Sequence, residues 1–207
     1  MNRVAATVLV VLAACAVAAP ARAQTDRQIR GFLGAAFAGN TSFVDATKQD
    51  APGRAHLAVG AQAAWLGEIL GVDVDVADVP GFFQSPSSYL VTSSRVTTIA
   101  GDAVVALPRR WAEYSLRLYF VGGGGIMRVH EESPETPPVV NVSRVTPMID
   151  YGFGALGFLT RRVGLSWELR RFQLVGGSAD LPALNGLSFG PERLSYWRAH
   201  MAVVVRY

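Results

Sequence analysis

The feature of this sequence that most constrains its fold is the alternation of apolar and polar residues over short segments. The run Val72-Asp73-Val74-Asp75-Val76 is the clearest case. Successive side chains of a strand point to opposite faces, so the valines would share one face and the aspartates the other, which helical periodicity does not produce. After the first 24 residues no apolar run approaches the roughly 20 residues that a membrane-spanning helix needs. Half of the residues are nevertheless hydrophobic, which indicates apolar strands.

Segments with this two-residue period recur eight times. The last one places Trp197, Met201 and Tyr207 on one face and Arg198 and Arg206 on the other. The predicted strands cover residues 29–39, 56–66, 72–76, 94–107, 113–129, 145–159, 163–174 and 197–207. Short links near 67–71, 108–112 and 160–162 alternate with long stretches near 40–54, 80–93, 130–144 and 175–193. This arrangement predicts an all-β fold, an eight-stranded antiparallel up-and-down transmembrane β-barrel.

The first residues have the composition of a secretion signal. One positive charge at Arg3 precedes an apolar run, and the small residues Ala21 and Ala23 precede Gln24. We therefore expect a signal peptide over residues 1–23, cleavage between Ala23 and Gln24, and one barrel domain over residues 24–207. Cys15 also fits a lipoprotein signal, so ordinary and lipoprotein cleavage both remain open.

Composition narrows the functional classes. Cys15 is the one cysteine of the chain, so cleavage after Ala23 would leave no disulfide, thiol nucleophile or cysteine metal site. The formal net charge is +3, and it falls to +1 without Arg3 and Arg22, which gives no reason to expect nucleic acid as a partner. We also expect no cofactor and no metal site.

Hairpin geometry predicts how neighbouring strands are aligned, because residues that face each other must point to the same side of the sheet. The second and third strands align with Trp65 opposite Val72. The fourth and fifth align with Leu107 opposite Tyr114. Both alignments bring outward apolar residues opposite each other.

At this point the chain resembles the OmpA/OmpX-like small outer-membrane β-barrel domains. The resemblance is carried by residues 119–125, 151–155 and 165–170 and by the aromatic last residue, Tyr207. It implies location in the cell outer membrane of a Gram-negative bacterium, contact with outer-membrane lipid, and Tyr207 as the signal that the barrel-assembly machinery recognises during biogenesis. It implies a fold and a location but no activity.

The charged residues on the inward face are the candidate site. They are predicted to form a lumen ionic network of Asp73, Asp75, Asp102, Arg117, Asp150, Glu168, Arg170, Arg198 and Arg206. The strand alignments make Asp102 the diagonal neighbour of Arg117, and Asp150 the diagonal neighbour of Arg170, within reach of long side chains. An eight-stranded barrel has an interior that side chains can just fill, so these ions are expected to form a polar plug.

Two other patterns are interpreted as structural. Residues 152–157 match G-x-G-x-x-G, but Arg161 and Arg162 lead into another strand where a dinucleotide site needs a helix. His56, His130 and His200 are interpreted as structural or lumen residues, with no catalytic residue assigned.

The sequence therefore predicts a non-enzymatic barrel with four surface loops, acting in envelope integrity or in binding an unidentified surface ligand. A narrow small-solute channel and a lipid-modifying enzyme are the alternatives. A soluble carrier of hydrophobic ligands is disfavoured by the inward charges, since such a barrel places apolar residues inside.

Overall fold

A computed structural model describes residues 26–40, 55–82, 93–108, 116–132, 141–175 and 194–207. The predicted signal peptide, its cleavage site at Ala23 and Gln24, and Cys15 lie outside these residues. So do most of the predicted long loops.

Eight antiparallel strands form a closed barrel, in which each strand pairs with its neighbours in sequence and β1 pairs with β8. This confirms the predicted fold class. The strands are β1 (Asp26–Asn40), β2 (His56–Leu66), β3 (Leu70–Pro80), β4 (Ser93–Ala106), β5 (Arg117–Glu132), β6 (Asn141–Phe158), β7 (Val163–Leu174) and β8 (Ser195–Arg206). No helix in the described part of the chain is long and apolar enough to cross a membrane.

The two faces of the barrel wall differ as the period of two predicts. In β3, Val72, Val74 and Val76 are exposed on the outside, whereas Asp73 and Asp75 are buried inside. The other strands follow the same alternation, so most exposed side chains on the exterior are apolar, and most charged side chains on the inner face are buried. This inverted distribution fits a barrel whose outer face meets lipid.

Both described termini lie at the same end of the barrel as the short turns. The Tyr207 N–H donates to the Arg27 carbonyl at 3.1 Å, and the Arg206 N–H donates to the Arg162 carbonyl at 2.7 Å. In barrels of this kind that end faces the periplasm. The connections at the opposite end comprise residues 41–55, 81–92, 133–140 and 175–194.

The strand alignments confirm one predicted hairpin and correct another. Trp65 pairs with Val72 as predicted. Tyr114 lies outside the described residues, but Leu107 is aligned with Leu118: its N–H donates to the Leu118 carbonyl at 2.9 Å, and β5 begins at Arg117. The connection between β4 and β5 is longer than predicted, and the alignment of these strands is displaced by four residues.

Candidate functional site

Arg170 is the centre of the charged cluster inside the barrel. It lies on the inward face of β7 and is fully buried. Its guanidinium donates to the carboxylates of Glu168, Asp73 and Asp102, and to Asp150 at 3.3 Å. Four carboxylates from four strands therefore surround one cation.

A second ion pair lies beside this group. Arg198 of β8 donates from both terminal nitrogens to Asp75 of β3, at 3.0 and 2.6 Å. The Gln62 amide joins the two groups, because its nitrogen lies 3.0 Å from both Asp75 and Glu168. We call the cluster of Arg170, Arg198 and their side-chain partners the ionic layer.

Arg30 and Tyr119 complete the ionic layer, although sequence reasoning missed both. The Tyr119 hydroxyl donates to Glu168 at 2.7 Å, and Arg30 donates to the Tyr119 oxygen at 3.3 Å. Both residues lie at inward positions of the predicted strands, so the period of two could have identified them. Gln62 is a third such residue, since it is polar and points inward from β2.

Three cationic guanidiniums meet five carboxylates in this buried layer. Arg30, Arg170 and Arg198 are the cations, and the acids are Asp73, Asp75, Asp102, Asp150 and Glu168. His200 lies next to Glu168, with its Nε2 3.5 Å from the carboxylate, and its ring stacks on Phe32 at 4.2 Å. Carboxylates therefore outnumber guanidiniums, and the arginines hold the acids together.

Glycines make room for these side chains. Gly123 of β5 pairs with Asp102 on one side and with Asp150 on the other, so no side chain separates the two acids. A Cβ at Gly123 would clash with the Asp102 carboxylate and the Gly101 carbonyl, and a Cβ at Gly152 would clash with the Arg170 backbone and the Leu169 carbonyl. Gly152 belongs to the G-x-G-x-x-G pattern, which here lies in β6 with another strand after it.

Two of the predicted charges lie apart from the ionic layer. Arg117 donates to the carbonyls of Leu107, Gly67 and Glu68 at the periplasmic turns. It is not the partner of Asp102, which binds Arg170; the predicted diagonal is wrong because of the four-residue displacement. The predicted contact of Asp150 with Arg170 is present.

Arg206 and Tyr207 also lie at the periplasmic end. Arg206 pairs with Asp26 at 2.6 Å, and its guanidinium lies 3.6 Å from the Phe158 ring centre. Tyr207 is 65% exposed at the end of β8.

The ionic layer lies between two apolar layers, which the sequence analysis did not foresee. The apolar layer nearer the loop end packs aromatic and aliphatic side chains together, including Phe172 stacked on Tyr196 at 5.1 Å. Its buried members are Ala36, Ala58, Val79, Phe82, Val96, Ala100, Met127, Val129, Met148, Phe172, Leu194 and Tyr196. The layer nearer the periplasmic end contains Ala64, Leu66, Val104, Ala106, Tyr119, Val121, Leu156 and Val204.

The histidines do not form a catalytic arrangement with one another. His56 packs near the Phe82 ring at 5.8 Å, and His130 lies near the loop end of β5. His200 faces the inside next to Glu168, but neither of its ring nitrogens hydrogen-bonds to a described residue, and neither does the buried Ser166 hydroxyl. Over the described ranges no group of three or more His, Cys, Asp or Glu side chains could hold a metal ion.

Comparison with known proteins identifies the fold. Neisserial surface protein A has a TM-score of 0.61 at 10% identity, over 87% of this chain and 97% of that one. OprG from Pseudomonas aeruginosa has a TM-score of 0.53 at 13% identity, over 89% of this chain and 97% of that one. The N-terminal barrel domain of Pseudomonas aeruginosa OprF has a TM-score of 0.50 at 13% identity, over 89% and 99%. The sequence matches no protein-family model and no curated protein.

Proposed function

We propose that this chain, an outer-membrane β-barrel of the small eight-stranded kind, is closed to solutes and acts through the loops that it presents outside the cell. In this proposal the barrel is a rigid, non-enzymatic scaffold. Its role is envelope integrity or the binding of a surface ligand.

The observation that supports a closed lumen is the order of the three layers. An ion on a path through the barrel would have to pass an apolar layer, the ionic layer and a second apolar layer. Apolar layers exclude ions because transfer of a charge into such surroundings without compensation is very costly. The guanidiniums and carboxylates between them already bind one another, and Arg170 and Arg198 are fully buried.

A solute-uptake assay tests this proposal against the narrow-channel alternative. The protein is reconstituted into liposomes, and swelling is followed after addition of a small sugar. We expect no swelling above that of empty liposomes, while a large porin reconstituted in parallel causes rapid swelling. Swelling that increases with the amount of this protein would contradict a closed lumen and support a channel.

The loops are the second part of the proposal. The connection over residues 133–140 contains three prolines and one glutamate, and a proline content of this kind is typical of a stiff segment. We expect replacement of residues 133–140 by a short turn to leave the amount of barrel in the membrane unchanged while it weakens the surface function.

Binding of whole cells to immobilised candidate ligands and survival in detergent measure this in cells that carry the loop variant, the wild type or no protein. Asp150→Asn, which changes one buried charge at little expected cost in stability, is the matched control for a change inside the barrel. If the loop variant behaves as wild type in both assays, that loop has no part in the function.

A further inference from the structure

The lipid-facing side of the barrel contains an open, mostly apolar depression. Its lining also includes Glu168 and His200, whose strands carry the ionic layer on their inner face. Its volume is about 800 Å³, within the range of sites that enclose small molecules. Outward side chains of β1, β6, β7 and β8 supply most of its lining.

The strand alignment explains where this depression comes from. In one outward row, Phe153, Leu169, Ala199 and Ala35 are neighbours on β6, β7, β8 and β1. Two of the four are alanines. The next outward row toward the periplasm is bulkier and contains Ala155, Trp167, Met201 and Leu33. Small side chains therefore form a floor, and large apolar side chains form the walls.

A cation lies one outward row beyond the floor on the loop side, opposite the tryptophan that precedes Ala199 by two residues on β8. The next outward row is Tyr151, Arg171, Trp197 and Phe37, so Arg171 is two residues from Leu169, about 7 Å along the strand. The Arg171 guanidinium lies 5.4 Å from the Trp197 ring centre and 3.4 Å from the Ser195 hydroxyl.

Among the described residues, the charge of Arg171 is not matched by a carboxylate. No Asp or Glu oxygen of the described residues lies within 4.0 Å of it, whereas Arg95, also on the outer wall, pairs with Asp78 at 3.3 Å. An arginine beside a tryptophan at the membrane interface is well placed to bind an anionic headgroup, and phosphate accepts two parallel hydrogen bonds from a guanidinium.

We propose that this depression binds one phosphate-bearing lipid of the outer leaflet. An acyl chain lies on Ala35 and Ala199 between the bulky walls, and the phosphate accepts hydrogen bonds from Arg171. The occupant is a lipid because the depression faces the hydrocarbon region and Arg171 ends the run of apolar outward residues on β7, as expected at the boundary toward the headgroups. This site goes beyond the proposed function and does not depend on whether the lumen conducts.

Quenching of tryptophan fluorescence by brominated lipid tests the site. The groove reporter retains Trp167 and Trp197, with Trp65 and Trp111 changed to Phe. The control reporter retains only Trp65, which pairs with Arg27 on the outer face at the periplasmic end and so also lies beside an arginine. Each is refolded in phosphatidylcholine vesicles that contain the same minor fraction of either brominated phosphatidylglycerol or brominated phosphatidylcholine.

We expect the preference for phosphatidylglycerol to be about fivefold larger at the groove reporter than at Trp65, since a direct bond to phosphate adds to the surface attraction that both arginines exert. Arg171→Gln should reduce this preference to the Trp65 level. Ala199→Leu should fill the floor and reduce quenching by both lipids, whereas Ala103→Leu, outward on β4, should change neither. Soluble glycerol phosphate should not displace the lipid.

Equal preference at the two reporters, or a preference that Arg171→Gln leaves intact, would overturn the proposal. So would crosslinking that shows a second copy of this chain against the groove in these vesicles. Heat-dependent gel mobility verifies that each variant is a folded barrel. If Ala199→Leu does not fold, Ala35→Leu fills the same floor from β1 and replaces it.

Discussion

Substitution of Arg170 and substitution of one of the acids around it are expected to lower the free energy of unfolding by different amounts. Loss of Arg170 leaves four carboxylates without their shared cation, whereas loss of one acid leaves a layer in which carboxylates still outnumber guanidiniums. We therefore expect Arg170→Gln to lower the free energy of unfolding by about 3–5 kcal/mol, the cost of breaking a buried ion pair.

Asp150→Asn, with the same shape and one negative charge fewer, should cost much less. Urea unfolding of the barrel in detergent micelles measures both, with the exposed Arg27→Gln as the control. A loss for Asp150→Asn as large as that for Arg170→Gln would show that the excess of acids has no effect on stability.

Two ion pairs on the same barrel allow burial to be tested directly. Asp75 and Arg198 are fully buried, whereas Arg95 and Asp78 have side chains 61% and 31% exposed. In double-mutant cycles with Asn and Gln replacements, we expect a coupling energy of about 1–3 kcal/mol for the buried pair. The exposed pair should give less than about 1 kcal/mol. Similar coupling energies for the two pairs would contradict the assignment of Asp75 and Arg198 to a buried layer.

For single residues, the sequence predicts which face of the barrel wall a side chain occupies better than it predicts which residue that side chain contacts. The period of two predicts that Asp102 points inside. Sliding one strand by an even number of residues leaves every side chain on the same face, so the pattern does not distinguish alignments four residues apart. It therefore fits Arg117 as the partner of Asp102, although Asp102 binds Arg170 across the barrel. Contacts across the lumen depend on closure of all eight strands, which no single hairpin determines.

Within one strand, two adjacent glycines have different surroundings. A Cβ at Gly122 would meet its nearest atom, the Asp150 carbonyl oxygen, at 3.7 Å, an ordinary contact, whereas a Cβ at Gly123 would clash with Asp102. We expect Gly123→Ala to cost about 1–3 kcal/mol, as overpacking does. Gly122→Ala should stay within about 0.5 kcal/mol of wild type. Equal effects in urea unfolding would contradict the close approach of β4 and β5 at Gly123.

The outward face of β3 gives a test of membrane depth. Val74 is near the middle of the strand and Leu70 is at its periplasmic end, and both side chains point outward. Val74→Arg should cost roughly 2–4 kcal/mol, and Leu70→Arg roughly 0–1 kcal/mol, because the cost of a cation falls toward the interface. Unfolding from lipid vesicles measures both. If Leu70→Arg is the more damaging change, the membrane is centred elsewhere on the barrel.

The end of β8 is proposed to act in assembly. Tyr207 is exposed, and its backbone N–H completes the pairing with β1 through Arg27. We expect deletion of Tyr207 to reduce the amount of barrel in the outer membrane more than it reduces the stability of the refolded barrel, with Tyr207→Phe as the control that keeps an aromatic ring. Quantitative blotting of outer membranes at native expression measures this, and unchanged levels of the deletion variant would rule out Tyr207 as an assembly signal.

For the whole molecule, the sequence predicts the number of strands, their order and which side chains point into or out of the barrel. It does not predict that the interior is divided into layers. The strands alternate in and out, but the level at which an inward residue lies depends on strand tilt and stagger, so Phe172 and Tyr196 of the loop-side layer and Leu156 of the periplasmic layer could not be assigned to layers beforehand. Most of the charged residues predicted to form a polar plug lie in one layer of three, between apolar residues.

The proposed closure of the barrel by these three layers can be tested by the ionic current through single molecules. The wild-type protein is inserted into a planar bilayer, and current is recorded at increasing voltage. Insertion is verified by protease protection of the same preparation in vesicles. We expect no current steps above the bare membrane, because an ion would have to cross two apolar layers and a paired ionic layer. Discrete, reproducible steps from the inserted wild-type barrel would contradict it.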